Sequence, residues 1–423
     1  MTSTGERQRC KTEELLKKYP LDVFPNWSIT VGERYYVSAP IDSIGEWAFH
    51  LRSHLTALIL AGNPAIGFLQ AVRSQFLTKV AMAFSVLGLE VFFFSLIVAM
   101  VWLFDARCGR LLSVLLSLGF FVAGGLKVAL CLPRPPSPPA LCLDEENRDW
   151  AWPSNHALLG TAFPWFIWMY SSSHYNLSLT ASCILLAVIL LWNCGVSWSR
   201  VYLGVHSPCD VLGGWTIGVL LLFIFGGFAD KLYDAYETSS ANDDVSFFVY
   251  FYSFVILLLW LHPRAWPETQ SYGELICVLS GTAAIWCGRV LHLGGRSPSV
   301  SLAESHPDAP IYQYFLRFFA GVLLIVVCRV VLKLITKQTV KAVYRWFDMR
   351  HYSYTEMCAD LGQLQPTKRY TNRMRFKPIP GAKEVPADAI PYDVDLPVKF
   401  IVYSAIGFLV SEVCPFVFSR LNI

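Results

Sequence analysis

This chain predicts an all-α fold, a polytopic transmembrane helix bundle, on three observations. Hydrophobic residues fill 54% of its 423 positions and charged ones only 15%, which is too apolar for an ordinary soluble domain. The apolar residues gather in runs near the ~17–25 residues that a bilayer core requires. Between Lys127 and Asp210, three clusters of cationic, imidazole and carboxylate side chains each sit at the end of such a run.

The N-terminal region, 1–78, is mixed and polar at first, with a short amphipathic helix expected near Glu13 to Tyr19. It contains no apolar core of signal-peptide length. From His54 to Val72 an apolar stretch is interrupted by Gly62-Asn63-Pro64, which leaves a span, a re-entrant segment and an interfacial helix all open. Clearer spans follow at about 79–104, 111–130, 157–172, 179–197 and 211–229, and these make 79–230 a membrane core that holds the three clusters. The remainder, 231–423, adds spans at about 246–262, 273–292, 312–334 and 398–418. From Arg329 to Arg350, aliphatic and basic residues alternate at helical spacing, as in a helix that leaves the membrane and lies along the headgroups. An extended Pro-rich strap, 351–399, then leads to the last span.

Orientation follows from the hinge Asp105-Ala-Arg107-Cys-Gly-Arg110, which is short and basic and belongs in the cytosol by the positive-inside tendency. All three clusters then share the opposite face. Counting every later segment as a span also sends 335–397 to that face despite its many Lys and Arg residues. Either 273–292 is re-entrant or a loop of this length escapes the tendency. The net charge of +3 comes with no basic stripe, so nucleic acid is not an expected partner. Twelve scattered cysteines form no CxxC pair; most read as packing thiols, with Cys131, Cys142 and Cys209 sharing the cluster side.

The three clusters suit a phosphate monoester. Lys127, Arg134 and Arg200 supply positive charge that titration does not remove, and the two guanidinium groups offer planar forks for phosphate oxygens. Pro133 and Pro135 flank Arg134 and break the helix there. In Pro153-Ser154-Asn155-His156, Ser154 or Asn155 caps a following helix whose free amides cradle a phosphate, and His156 is placed to protonate a departing alkoxide. In the third cluster, Ser207-Pro208 starts a helix with Asp210 in its first turn. His206, four residues earlier, is close enough for the carboxylate to fix its tautomer and leave the other nitrogen to attack phosphorus. A metal site built from His156, His206 and Asp210 is disfavoured, because three fixed cations would repel a divalent ion. No metal or cofactor is expected.

These patterns, KxxxxxxRP, PSNH and SRxxxxxHxxxD, resemble the three signature motifs of the type 2 phosphatidic acid phosphatase (PAP2) superfamily. The segment RPPSPP, and the stretch from Trp266-Pro267-Glu268-Thr269 to Tyr272-Gly273-Glu274, resemble its sphingosine 1-phosphate and long-chain-base phosphate phosphatase branch. The resemblance implies a membrane-embedded lipid phosphatase with His206 as nucleophile forming a phosphohistidine, Asp210 orienting it, and His156 as acid and then base. It also implies a lipid phosphate substrate and a site on the luminal side of the endoplasmic reticulum membrane. Phosphatidate, lysophosphatidate and polyprenyl diphosphate are the neighbouring substrates, and a non-hydrolytic lipid transporter is the more distant alternative. The sequons at Asn26 and Asn176 do not fix orientation, and oligomeric state is not readable.

Three further groups stand out. Glu90 is expected deep in the span 79–104, where an intramembrane carboxylate either pairs with a basic residue of the core or meets the amine of a sphingoid substrate. Asp144, Glu145 and Glu146 read as a solvated face. Arg289, Arg317 and Arg329 read as structural or snorkelling.

Overall fold

The computed structural model describes residues 28–31, 35–38, 46–130, 132, 134–135, 140–144, 150–241, 245–263, 270–288, 301–352, 364–366, 383–385 and 392–423. The helix expected at Glu13–Tyr19, Asn26, Cys131, Pro133, Glu145, Glu146, Trp266–Thr269, Arg289 and most of 351–391 lie outside them. The only strands among the described residues are β1 (Ser28–Val31), β2 (Tyr35–Ser38), β3 (His351–Tyr352), β4 (Leu364–Pro366), β5 (Lys383–Val385) and β6 (Tyr392–Asp393). β1 and β2 pair antiparallel, whereas β3 with β6 and β4 with β5 pair parallel.

Everything else that is regular is helical: α1 (Glu46–Ala61), α2 (Asn63–Ala71), α3 (Gln75–Val86), α4 (Glu90–Ala99, continued by a π turn Met100–Phe104), α5 (Ala106–Leu130), α6 (Asn155–His174), α7 (Leu179–Tyr202), α8 (Pro208–Gly226), α9 (Ala229–Ala241), α10 (Val245–Leu261), α11 (Gln270–Cys287), α12 (Leu302–Ser305), α13 (Ile311–Trp346), α14 (Asp395–Phe408) and, after a second π turn Leu409–Val413, α15 (Cys414–Leu421). Serine starts the helices that reach the candidate site. Ser74, Ser154, Ser178 and Ser207 accept hydrogen bonds from the amides of Leu77, Ala157, Ala181 and Asp210, each cap contributing on the order of 1 kcal/mol.

Among the described residues, five helical segments are long and apolar enough to cross a bilayer: α5, α7, α8, α13, and α14 with α15; the bent pair α3–α4 passes the same test when taken together as one broken span. Eight of the nine spans predicted from the sequence fall on helical stretches, 273–292 as far as it is described, and 79–104 falls on the bent pair α3–α4; the chain is a multi-pass membrane protein. Beside a large aromatic and aliphatic core, some contacts between helices are small and polar, as expected where lipid supplies no hydrophobic drive for association. Ser117 Oγ donates to Thr282 Oγ1 at 2.9 Å, and Thr282 Oγ1 donates to Ser113 O at 3.0 Å. Gly407 of α14 lies so close to Gly281 and Ala284 of α11 that any side chain there would overlap them.

The bundle has two faces. The candidate-site face carries the C-terminal ends of α5 and α7 and the N-terminal ends of α6 and α8. The far face carries Asp105, Arg107, Arg110, His174, Tyr175 and Asp230, with an Arg107 Nη2–Asp230 Oδ1 ion pair of 2.6 Å. α11 runs between the two, from Tyr272, beside His262 of the α10 end, to Trp286, whose Nε1 donates to Arg110 O at 3.1 Å. It is therefore not re-entrant: its 18 residues rise about 27 Å, and Gly281 serves close packing. α13 begins at the far face, where Arg317 lies over Phe418, and ends where Tyr344 donates to Asp393 O, beyond α14's first turn. Lys337, Lys341 and Arg345 thus sit toward the candidate-site end, as the full count of spans required.

Two expectations are corrected, and the stretch 54–72, for which three readings stood open, is described. The span 79–104 is not one helix; it breaks after Val86 and bends by 54° before Glu90, so Glu90 opens α4 instead of lying mid-span. The basic segment beyond Arg329 does not turn along the headgroups but continues the preceding span in one 36-residue helix, because neither Gly nor Pro interrupts 322–346. The stretch 54–72 is two short helices on the candidate-site face. Arg52 Nε in α1 donates to Leu130 O at 2.9 Å, and Gln70 Nε2 in α2 donates to Tyr202 O at 3.0 Å.

Candidate active site

α5 delivers Lys127, which is buried one turn before the helix ends. The chain then leaves the helical path, and Arg134 donates from Nη1 to Val205 O at 2.8 Å. That bond ties the first cluster to the loop of the third.

α7 ends in a turn that only glycine fits. Gly204 adopts φ +71°, a left-handed conformation with little penalty for glycine alone, and a Cβ there would overlap Leu141 O. The turn folds the chain back so that the His206 amide donates to Arg200 O at 3.3 Å, which puts Arg200 and His206 side by side. Pro208 and the capping box of Ser207 with Asp210 then start α8.

Arg200 is fully buried. Its Nη1 donates to Ser85 Oγ at 2.6 Å and lies 3.3 Å from Asp144 Oδ2, while Nε and Nη2 have no hydrogen-bond partner. Those two nitrogens form the side edge of the guanidinium plane, with N–H bonds running in parallel, the geometry that holds two phosphate oxygens. Ser85 was not singled out from the sequence. Asp144 corrects the reading of a solvated face: it is drawn in because the buried Arg200 needs a counter-charge. A serine in an apolar helix carries no sequence signal of this role.

His206 is 2% exposed, and its Nδ1 lies 3.7 Å from Asp210 Oδ2. This is an ion-pair distance and too long for the expected hydrogen bond. Asp210 Oδ2 is instead engaged by the Ser207 amide at 2.6 Å and by Ser207 Oγ at 2.9 Å, the demand of the helix cap. Nδ1 of His206, Oδ1 of Asp210, Nε2 of His156 and Oδ1 of Asn155 are buried without partners. A cluster of unsatisfied polar atoms at one place marks a site built for a ligand. Burial first, then Arg134, Arg200, Lys127 and His156, hold the His206 imidazole well below its usual 6.5. These five side chains share one electrostatic environment.

Ser154, expected to bind phosphate, is fully buried; its Oγ accepts from the Ala157 amide and its own amide donates to Asp210 O at 3.1 Å. Its role here is to start α6 and join it to α8. Cys142 and Cys209 are free thiols. The break between α3 and α4 is the feature the sequence did not reveal: Gly88 lies against the His156 ring, where any Cβ would overlap it. Gly88→Ala is expected to displace His156 and lower kcat/KM by about 10–100-fold, since a shift of ~1 Å at a reacting group costs that much. Phosphate-release kinetics beside a thermal melt check this; unchanged kinetics would show that the ring position is immaterial.

A multi-pass helical membrane protein with cations, two imidazoles and open hydrogen-bonding edges at one surface is a phosphate-handling protein by its chemistry. Residues 108–232 match the family model of the PAP2 superfamily. The chain is 26% identical over 364 residues to a dihydrosphingosine 1-phosphate phosphatase of Schizosaccharomyces pombe, covering 83% of this chain and 85% of that one. It is 25% identical to sphingosine-1-phosphate phosphatase 1 of Rattus norvegicus, over 80% of this chain and 70% of that one. It is 23% identical to sphingosine-1-phosphate phosphatase 2 of Homo sapiens, over 78% and 74%. A solved transmembrane PAP2-type phosphatidylglycerolphosphate phosphatase from Bacillus subtilis is 25% identical and covers 44% of this chain and 95% of its own, with a TM-score of 0.37.

Proposed function

We propose that this PAP2 phosphatase hydrolyses long-chain-base 1-phosphates, dihydrosphingosine or sphingosine 1-phosphate, to the free base and inorganic phosphate. The observation that carries the chemistry is the meeting of the buried His206, with Asp210 on the Nδ1 side of its ring, and the half-buried His156, whose Nε2 has no partner, beside the open edge of Arg200. The substrate class rests on relatives named for it that match this chain over about four fifths of its length.

The phosphate enters as a dianion between Lys127, Arg134 and Arg200, with the first amides of α6 and the side chain of Asn155 alongside. Nε2 of His206 attacks phosphorus while the bond to the alkoxide breaks, and His156 gives that oxygen its proton. The phosphohistidine is cleaved when His156 takes a proton from water, whose oxygen bonds to phosphorus; phosphate leaves and His206 is free again. Asp210 holds the Nδ1 side of the ring and offsets the positive charge that develops there. The three cations stabilise charge on the equatorial oxygens as the bonds change.

The site face is assigned to the non-cytosolic side, because Arg107 and Arg110 at the start of α5 lie on the far face, and that side is taken as the lumen of the endoplasmic reticulum from the family resemblance alone. Phosphate release from dihydrosphingosine 1-phosphate, phosphatidate and a polyprenyl diphosphate by detergent-purified protein tests the reading. Highest kcat/KM on the sphingoid phosphate is the expected result. Preference for another lipid would reassign the substrate, and no release from folded protein would point to transport.

A further inference from the structure

We infer that Glu90 is the residue that recognises the ammonium group of the substrate; this rests on the sphingoid-phosphate reading above. The chemistry asks for such a residue. In a long-chain-base phosphate the amine is on the carbon next to the ester carbon, so its nitrogen lies only ~3–4 Å from the ester oxygen by standard bond lengths. That oxygen sits among three fixed cations when the phosphate is bound. An ammonium so placed is repelled unless a carboxylate answers it.

Three described carboxylates belong to the helices and loops around the site. Asp210 is engaged by Ser207, and Asp144 lies against Arg200. Glu90 is half-buried and makes no hydrogen bond or ion pair among the described residues.

Its position follows from the broken span. Gly88 is in contact with the ring of His156, the group assigned to the leaving oxygen, and Glu90 is two residues further on, ~7 Å along the chain. Helical spacing places Ile97 on the stripe of Glu90, two turns deeper, with Phe94 between them. Ile97 and Val101 on that stripe are 1% and 2% exposed, sealed against α5, where Gly109 meets them. Phe94 packs against Tyr403. Glu90, nearest the site, is the member of the stripe that carries charge, and the packing around the stripe loosens toward it. A carboxylate here stands at the bundle interior, in a setting of low dielectric where a charge pair counts for more than in water.

The test compares wild type and Glu90→Gln on dihydrosphingosine 1-phosphate, its N-acetylated form and octadecyl phosphate, the last two having no ammonium. Glu90→Gln is expected to lower kcat/KM on the amine substrate at least about tenfold, the scale of a hydrogen bond between charged groups, and to leave the other two within about twofold. Octadecyl phosphate turnover reports the folding of the variant, and Glu90→Asp, which keeps the charge, is expected to retain part of the preference. Equal loss on all three substrates, or an amine preference that survives Glu90→Gln, overturns the assignment while leaving the sphingoid reading intact. A wild type that does not favour the amine substrate overturns both.

Discussion

His206→Ala is expected to lower phosphate release by at least about four orders of magnitude while the protein folds and still binds lipid phosphate, since removing a nucleophile leaves only what charge and position contribute. The surrounding cations, Lys127, Arg134 and Arg200, remain in the variant, so equilibrium binding of an anionic lipid is the control that separates lost chemistry from lost structure. Wild type briefly mixed with radiolabelled substrate and quenched in base should carry acid-labile, base-stable label, and the variant none. Label on another residue would overturn the assignment. The pH profile adds a second check. Burial and then the neighbouring cations hold the His206 imidazole well below 6.5, so its neutral, attacking form persists as pH falls through that value and is lost only lower down. After the substrate's own second ionisation near ~6 is divided out, the acid limb of kcat/KM is expected below 6.5. A limb at or above 6.5 would mean that the free site does not depress His206.

His156→Ala is expected to cost about 10²–10⁴-fold on alkyl phosphates, the usual range for a general acid or base. The loss should depend on the leaving group. An aryl phosphate departs without a proton, so phosphorylation of the enzyme should proceed nearly as in wild type and the deficit should move to the water step. The variant then shows one rapid turnover followed by slow release, with phosphoenzyme accumulating. Equal losses on alkyl and aryl substrates, with no accumulation, would remove His156 from proton transfer and leave it a packing role against Gly88.

The residues proposed for chemistry were legible because each cluster breaks a local rule: an arginine among prolines, a histidine at a helix start, a serine-proline helix start with an aspartate in its first turn. The helices were legible as long apolar runs. What escaped notice depended on partners far away in sequence. Ser85 and Asp144 meet Arg200 across 115 and 56 residues, and nothing local marks them. The break at 87–89 has a glycine but no proline, and its cause is the demand of His156 for space on another helix. α11 was ambiguous because Gly281 reads alike as a helix breaker and as a close-packing residue; only Gly407 and Ser117 on its neighbours decide. α1 and α2 are too short to announce themselves, and their placement depends on Arg52 and Gln70 reaching carbonyls of α5 and α7.

The candidate groups all lie at one face, and the far face holds an ion-paired cluster of its own. A protein so arranged draws its substrate from one leaflet. In vesicles with every copy inserted the same way, turnover should stop when that leaflet is exhausted, with lipid phosphate still present in the other. The rate of the second phase would then measure how fast the phosphorylated lipid crosses the bilayer and not how fast it is hydrolysed. The sidedness of the helix bundle would thus make the enzyme a one-way sink between two lipid pools.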